Sequence, residues 1–313
     1  MVFVGGKATA EPRVVVDTTA GGQEAASRKG TLFSYQSDAT PLAVFMSVAR
    51  ILALCCLLAG GAASAEEGVR LVAQPDIAPR IAAFPRLAPD EPQAARINEA
   101  LAAADARARA AADDCRSQSE GSSADPGTLG WTRSIAIAMR GPYYLALVTD
   151  DYSYCGGLHP NADSIALTYD LRSGQPPNWS RLLPKALVRE VSVESAMDET
   201  PLGMVASQAL KALYLASARR AAQKVAPDCM DVLRQSAGPF MLWPDARQGS
   251  IVVQPSRLAH AFAACGVPAL IGIDVLRRQG VSPALLQAVA TAHRVGDYGV
   301  PRSSRPAGQA LVR

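Results

Sequence analysis

The residues best suited to chemistry in this chain lie between positions 150 and 161. His159 closely follows two neighbouring carboxylates, Asp150 and Asp151. An imidazole titrates near neutral pH, so it can act as a general base when a carboxylate orients it. These three side chains are therefore the candidate catalytic group of a hydrolase.

The same segment contains groups suited to binding. Tyr152 and Tyr154 are two positions apart, so they share one face if the segment is a strand. A tyrosine ring has an apolar face on which a sugar can stack, with a polar hydroxyl at its tip. The sequence predicts a binding set made of Tyr152, Tyr154, Gly156, Gly157, His159 and Asn161.

A structural role for this segment is the favoured alternative. Gly156 and Gly157 permit positive φ angles, and Pro160 fixes the direction in which the chain leaves a turn. An imidazole at position 159 could brace such a corner by hydrogen bonding to the backbone. We expect residues 155–160 to be a corner between two strands first and a functional site second.

Metal and cofactor chemistry lacks support in the sequence. The histidines at 159, 260 and 293 show no HxH or HExxH spacing. Asp150 and Asp151 would point to opposite faces of a strand. No GxSxG, GxGxxG or P-loop pattern is present. We expect no metal and no cofactor, and an enzyme is the less favoured hypothesis.

Length and composition indicate a globular protein. The chain has 313 residues, of which 49% are hydrophobic and 19% charged. Its net charge of +3 is too balanced to indicate binding to nucleic acid or to an anionic membrane. We therefore expect neither partner.

An export signal is predicted inside the chain rather than at its start. Residues 46–65 contain Met46, a basic Arg50, a short apolar run and Ala63-Ser64-Ala65. This is the arrangement of a secretory signal peptide, and its apolar run is too short to span a bilayer. We expect cleavage after Ala65 and a periplasmic or secreted protein without a membrane span. Residues 1–45 are then a non-native or disordered extension.

Four cysteines remain after that cleavage. An even number in an exported protein favours two disulfides over free thiols. We expect Cys115–Cys155 and Cys229–Cys265, because each pair lies within one half of the chain. A four-cysteine zinc site is disfavoured, since no CxxC pair is present.

The pattern of the mature chain predicts an α+β fold, an antiparallel sheet packed with helices. The predicted helices cover 90–115, 202–225 and 282–295, and the predicted strands cover 131–140, 143–154, 164–171, 239–255 (a hairpin) and 268–276. We expect one α+β region over 66–295, made of an N-terminal part (66–140), a C-terminal part with the corner (141–280) and a terminal helix (281–295). Residues 296–313 are expected to be a flexible tail.

Three motifs carry a resemblance to a known family. They are YSYCGGLHPN (152–161), YDLRSGQ (169–175) and FMLWPDARQGSIVVQP (240–255). Over roughly residues 80–277 the chain resembles a paired domain of unknown function. That domain occurs in the extracellular region of lysozyme-sensing anti-sigma factors (RsiV type) and before the catalytic domain of some peptidoglycan deacetylases (PdaC type).

The resemblance implies an α+β fold and a bacterial envelope setting. The chain has no sigma-binding segment and no deacetylase metal motif, so neither of those activities carries over. We expect a binding module for peptidoglycan or for a wall-lytic protein such as lysozyme. Two alternatives stay open: an envelope hydrolase using His159 with Asp150 or Asp151, and a structural envelope protein without a ligand.

Overall fold

Two larger antiparallel sheets, with helices packed on them, form most of the structure. The computed structural model describes residues 68–120, 122, 129–256 and 258–299. The strands are β1 (Leu71–Val72), β2 (Arg86–Leu87), β3 (Gly130–Arg140), β4 (Tyr144–Tyr154), β5 (Asn161–Asp170), β6 (Glu190–Ser195), β7 (Pro201–Ala206), β8 (Phe240–Asp245), β9 (Ser250–Pro255) and β10 (Ala269–Gly272). The helices are α1 (Ala94–Ser119), α2 (Trp179–Leu182), α3 (Gln208–Val225), α4 (Cys229–Ser236), α5 (Ile273–Arg278) and α6 (Pro283–Val295), with a 3₁₀ helix at His260–Cys265.

The first sheet is the meander β3-β4-β5, in which every neighbouring pair is antiparallel. The long helix α1 packs against it. Ile97, Leu101, Ala104 and Ala108 recur at intervals of three or four residues and are almost completely buried. The prediction of a helix over 90–115 is confirmed in type, and the structure extends the helix to Ser119.

The second sheet has the strand order β10-β9-β8-β7-β6, and α3 packs on it. The helix begins after Ser207, whose side-chain oxygen accepts a hydrogen bond from the N–H of Leu210. The prediction of a helix from residue 202 was wrong at this end. Residues 201–206 instead form the strand β7. Their backbone groups pair with β6 on one side and with β8 on the other, and this pairing decides against a helix.

Two disulfides connect elements that are distant in sequence. Cys115 bonds to Cys155, and Cys229 bonds to Cys265, with S–S distances of 2.03 and 2.04 Å. Both predicted pairings are confirmed. Together with the antiparallel sheets and packed helices, they confirm the predicted α+β fold class.

The terminal helix predicted over 282–295 is present as α6, with Pro283 at its start, a position that proline favours. Ser282 precedes it without a side-chain capping bond, and its N–H donates to the carbonyl of Leu182 instead. In the described ranges no helix is long and apolar enough to cross a membrane. The predicted signal peptide, its cleavage after Ala65, residues 1–45, and residues 300–313 of the predicted tail lie outside the described residues.

Candidate functional site

The corner between β4 and β5 is a hairpin loop. Ser153 is paired with Asn161, so the chain reverses direction over residues 154–160. Leu158 and His159 are exposed at the tip. Cys155 anchors the start of the loop to α1 through its disulfide. The predicted corner is therefore present, with His159 on its outer surface.

The two glycines of the corner have different conformations. Gly156 has φ +85°, in the region that favours glycine, whereas Gly157 lies outside that region. A Cβ on Gly156 would lie 3.0 Å from the Cβ of Ser122, while a Cβ on Gly157 would meet open space. Of the two glycines that permit positive φ, only Gly156 adopts it.

Replacing Gly156 by valine is expected to cost about 1–3 kcal/mol of folding free energy, because a β-branched residue is strained at positive φ. The same replacement at Gly157 is expected to leave the free energy of unfolding nearly unchanged. Urea unfolding of the two variants beside the parent measures both values. Equal losses at the two positions would contradict this assignment.

Alternation along β4 divides its side chains between two faces. Asp150, Tyr152 and Tyr154 share one face, and Thr149 and Asp151 lie on the other. Asp150 is exposed and Tyr152 is 41% exposed, whereas Asp151 is only 3% exposed. The two neighbouring aspartates therefore have opposite environments, as their predicted strand position requires.

Asp151 belongs to a buried ion-pair network. Arg133, directly opposite on β3, donates from Nε and Nη2 to its two carboxylate oxygens at 2.6 and 2.7 Å. Nη2 also donates to Asp198 Oδ2 at 2.7 Å, so one guanidinium bridges two carboxylates. These side chains are at most 1% exposed. Thr149 and Trp131 donate further bonds to Asp151 at 3.1 and 3.3 Å.

The network constrains the hydrolase hypothesis. A general base must have an oxygen or nitrogen free to reach the proton that it removes. Both oxygens of Asp151 accept bonds from Arg133, and the residue is buried. Asp150 is accessible, and one of its oxygens accepts a bond from the hydroxyl of Ser164 at 3.1 Å. A catalytic pair with His159 therefore rests on Asp150 rather than on Asp151.

A third carboxylate, Asp163 on β5, lies opposite Asp151 in the sheet. Burial raises the pKa of Asp163, and the negative charges of Asp151 and Asp198 add to this; backbone N–H groups of Ser164 and Met197 oppose it. Burial alone would lower the pKa of Arg133, but its bonds with Asp151 and then Asp198 raise it. The guanidinium therefore stays charged beside the carboxylates.

This acidic group is not a metal site in the part of the chain that the structure describes. No group of three or more His, Cys, Asp or Glu side chains there is placed to hold a metal ion. The positive charge between Asp151 and Asp198 is supplied by Arg133. A bidentate guanidinium satisfies a carboxylate in geometry as well as in charge.

A polar pocket of about 410 Å³ opens beside this network. Its hydrogen-bonding side chains come from the β4–β5 hairpin, from β9 and from the residue after β9: Asp150, Asp151, Asn161, Asp163, Ser164, Gln254 and Ser256. Tyr152 is not in the pocket wall itself, but its cross-strand neighbour Ala162 is. Carboxylate, amide and hydroxyl groups near an exposed ring can bind a polyhydroxylated molecule.

The other aromatic residues that the sequence offers for sugar stacking belong to the interior. Those with at most 9% exposure are Trp131, Tyr144, Trp179 and Trp243, and Tyr143 is partly buried. Of the predicted binding residues, the exposed Tyr152 and the half-buried Tyr154 supply aromatic rings on one face of β4. Of the predicted binding set, the structure places Asn161 in the pocket wall, Tyr152 on the neighbouring strand opposite Ala162, and His159 exposed at the corner.

The site residues predicted from the sequence did not include Arg133, Asp163 or Asp198. A signal for Arg133 exists: Trp131, Arg133, Ile135 and Ile137 alternate in one phase of β3, so a charged residue occupies an inward position. Such a residue requires a buried counter-charge. Nothing in the local sequence identifies that partner as Asp198, which lies 65 residues away in the turn between β6 and β7.

Comparison with known proteins gives a limited result. No family model and no curated protein matches the chain. The structure is similar to the crystal structure of a DUF3298 family protein from Pseudomonas aeruginosa PAO1, with 16% sequence identity and a TM-score of 0.31. The match covers 52% of this chain and 66% of that chain, just under two thirds of its length. It is a match to a domain of unknown function, and not to the RsiV-type or PdaC-type proteins specifically.

Proposed function

We propose that this protein is an exported envelope module that binds the glycan of peptidoglycan at the polar pocket beside Tyr152. The observation that carries the proposal is the clustering of Asp150, Asn161 and Ser164 in the wall of an open pocket, with the exposed Tyr152 paired across the strands with Ala162 of the same wall. Sugar hydroxyl groups both donate and accept hydrogen bonds, so a mixed set of acceptors and donors suits them.

The two disulfides support the envelope setting of this proposal. Disulfides persist in secreted and periplasmic proteins and are rare where thiols are kept reduced. The resemblance to RsiV-type and PdaC-type proteins supports a ligand associated with the cell wall. The predicted signal peptide at 46–65 and cleavage after Ala65 complete the proposed route to the envelope.

Binding to purified peptidoglycan sacculi, measured by co-sedimentation, tests this function. Tyr152→Ala is expected to weaken binding about tenfold, as for truncation of an aromatic anchor. Asp150→Asn should also weaken it, because a charge-assisted bond becomes a neutral one. Glu99→Gln, an exposed carboxylate on α1, and Val191→Ala, an exposed apolar residue on β6, are matched controls that should bind normally.

Three experimental outcomes would overturn the proposal. Sacculi that do not bind, together with capture of lysozyme by the parent protein, would make a wall-lytic protein the partner. Release of soluble fragments that Asp150→Asn abolishes would establish the hydrolase alternative. Unchanged binding in the Tyr152 and Asp150 variants would place the glycan site elsewhere.

A further inference from the structure

A second recess lies between α1, the edge strand β5 and β7. It encloses about 330 Å³ and shares no described lining residue with the polar pocket. Trp179, Leu202 and Leu242 contribute to an apolar wall. Small-molecule sites are mostly apolar and span about 300–1,000 Å³, so this recess, named here the α1 groove, is at the small end of that range.

Two arginines of α1 line the groove. Arg96 and Arg107 are 107 − 96 = 11 residues apart, which is close to three helical turns, so they lie on one side of the helix about 16 Å apart. Ala100 and Ala103 lie between them and leave the groove open along the helix. No Asp or Glu is among the described lining residues, so the charge of the groove is positive.

Each arginine donates one hydrogen bond to another residue of the described part of the chain. Arg107 Nε donates to the hydroxyl of Thr200 at 3.3 Å, and Arg96 Nη1 donates to the carbonyl of Ser173 at 2.9 Å. A guanidinium has five N–H donors, so most of the capacity of each remains available. Within the described residues, neither arginine forms a salt bridge with a carboxylate of this chain. Positioned guanidinium groups in an apolar recess suit an anionic ligand.

One residue that lines the groove has an unsatisfied hydroxyl. Thr168 of β5 is 8% exposed, and its hydroxyl oxygen is buried without a hydrogen-bond partner. Buried polar groups are nearly always bonded, so an exception at a groove indicates a partner supplied from outside the chain. Rotation about the Cα–Cβ bond of Thr168 exchanges the positions of its methyl and hydroxyl groups. Strands accommodate more than one such rotamer, so the hydroxyl can turn toward a ligand.

We propose that the α1 groove binds a small organic carboxylate with an elongated apolar body. Its carboxylate pairs with Arg107, and its body lies along the wall containing Leu202 and Leu242. Arg107 is the head-group residue because it is half-buried, and an ion pair is stronger there than at the exposed Arg96. The hydroxyl of Thr168 adds a hydrogen bond. This site is independent of the proposed glycan function.

Isothermal titration with three probes tests the proposal. Decanoate has both the carboxylate and the apolar body, decanol lacks the charge, and acetate lacks the body. Decanoate is expected to bind, with decanol and acetate at least tenfold weaker. Arg107→Gln is expected to weaken decanoate binding about tenfold through loss of a charge-assisted pair. Arg109→Gln, an exposed arginine on the same helix that does not line the groove, is the matched control.

The variant Thr168→Val separates ligand binding from a structural role. It removes a buried hydroxyl that has no partner, so the thermal midpoint should stay the same or rise. Decanoate affinity should nevertheless fall several-fold. Equal affinity of the parent and the Arg107 variant for decanoate, or no binding of decanoate at all, would overturn the proposal. Equal binding of decanol and decanoate would refute the ion pair.

Discussion

Replacing Arg133 by methionine is expected to lower the free energy of unfolding by about 3–5 kcal/mol, because the change leaves buried carboxylates without their counter-charge. Arg133 donates three hydrogen bonds to Asp151 and Asp198, and all three side chains are excluded from solvent. Methionine retains the unbranched apolar stem but supplies neither charge nor donors. Urea unfolding of the variant at neutral pH measures the loss.

Two further variants test whether the loss comes from the buried charges. Arg277→Met makes the same substitution in an exposed pair with Asp274, where solvent already screens the interaction, so little change is expected. Adding Asp151→Asn and Asp198→Asn to the Arg133 variant removes the stranded charges and should restore part of the lost stability. If Arg133→Met behaves like Arg277→Met, the network does not carry the energetic role assigned to it.

The network also connects the fold to the candidate site. Arg133 and Asp151 are cross-strand neighbours in the meander, whereas Asp198 comes from the turn between β6 and β7, whose strands belong to the other sheet. Met197, beside Asp198, is in the wall of the polar pocket. The ion pair therefore fixes one wall of the pocket relative to the β4–β5 hairpin. In the Arg133 variant, binding at the pocket should weaken together with stability.

Several local elements of this protein could be predicted because their signals are local, but the strand predicted over 268–276 was wrong after Gly272, where the helix α5 begins. Alternation in residues 144–154, the alanine-rich run of α1 and Pro283 at the start of α6 each depend on neighbours within a few turns. The start of α3 could not be placed in the same way. Residues 201–206 are apolar enough for either state, and pairing with β6 and β8 decides in favour of a strand.

The residues of the candidate site likewise divide into those that a local signal predicts and those that depend on distant contacts. Strand geometry predicts that Asp150 and Asp151 lie on opposite faces of β4, and they do in the structure. The burial of Asp151 by Arg133 and Asp198 depends on two separate parts of the chain meeting. The pocket depends on Gln254 and Ser256, which β9 brings to the hairpin. Contacts between distant segments have no periodic signature in one sequence, so these residues could not be assigned a role.

The disulfide Cys115–Cys155 can be removed without leaving a free thiol by the double variant Cys115→Ala, Cys155→Ala. The bridge joins residues 40 positions apart and ties the C-terminal part of α1 to the corner after β4. Closing a loop of this length restricts the unfolded chain, and the loop-entropy relation gives a loss of about 4 kcal/mol when the bridge is absent. We expect that loss in urea unfolding.

Because that stabilisation acts on the unfolded state, the variant should also have a larger m value, since its unfolded chain exposes more surface. The matched control is the double alanine variant of Cys229 and Cys265, which spans a similar 36 residues and should lose a similar free energy. The two variants should differ in where the native state loosens. Amide hydrogen exchange should accelerate around residues 153–161 in the first variant and around α4 in the second. An unchanged m value with faster exchange at the corner would mean that the Cys115–Cys155 bridge acts mainly by holding the native hairpin against α1, and the loop-entropy account would then be wrong for this bond.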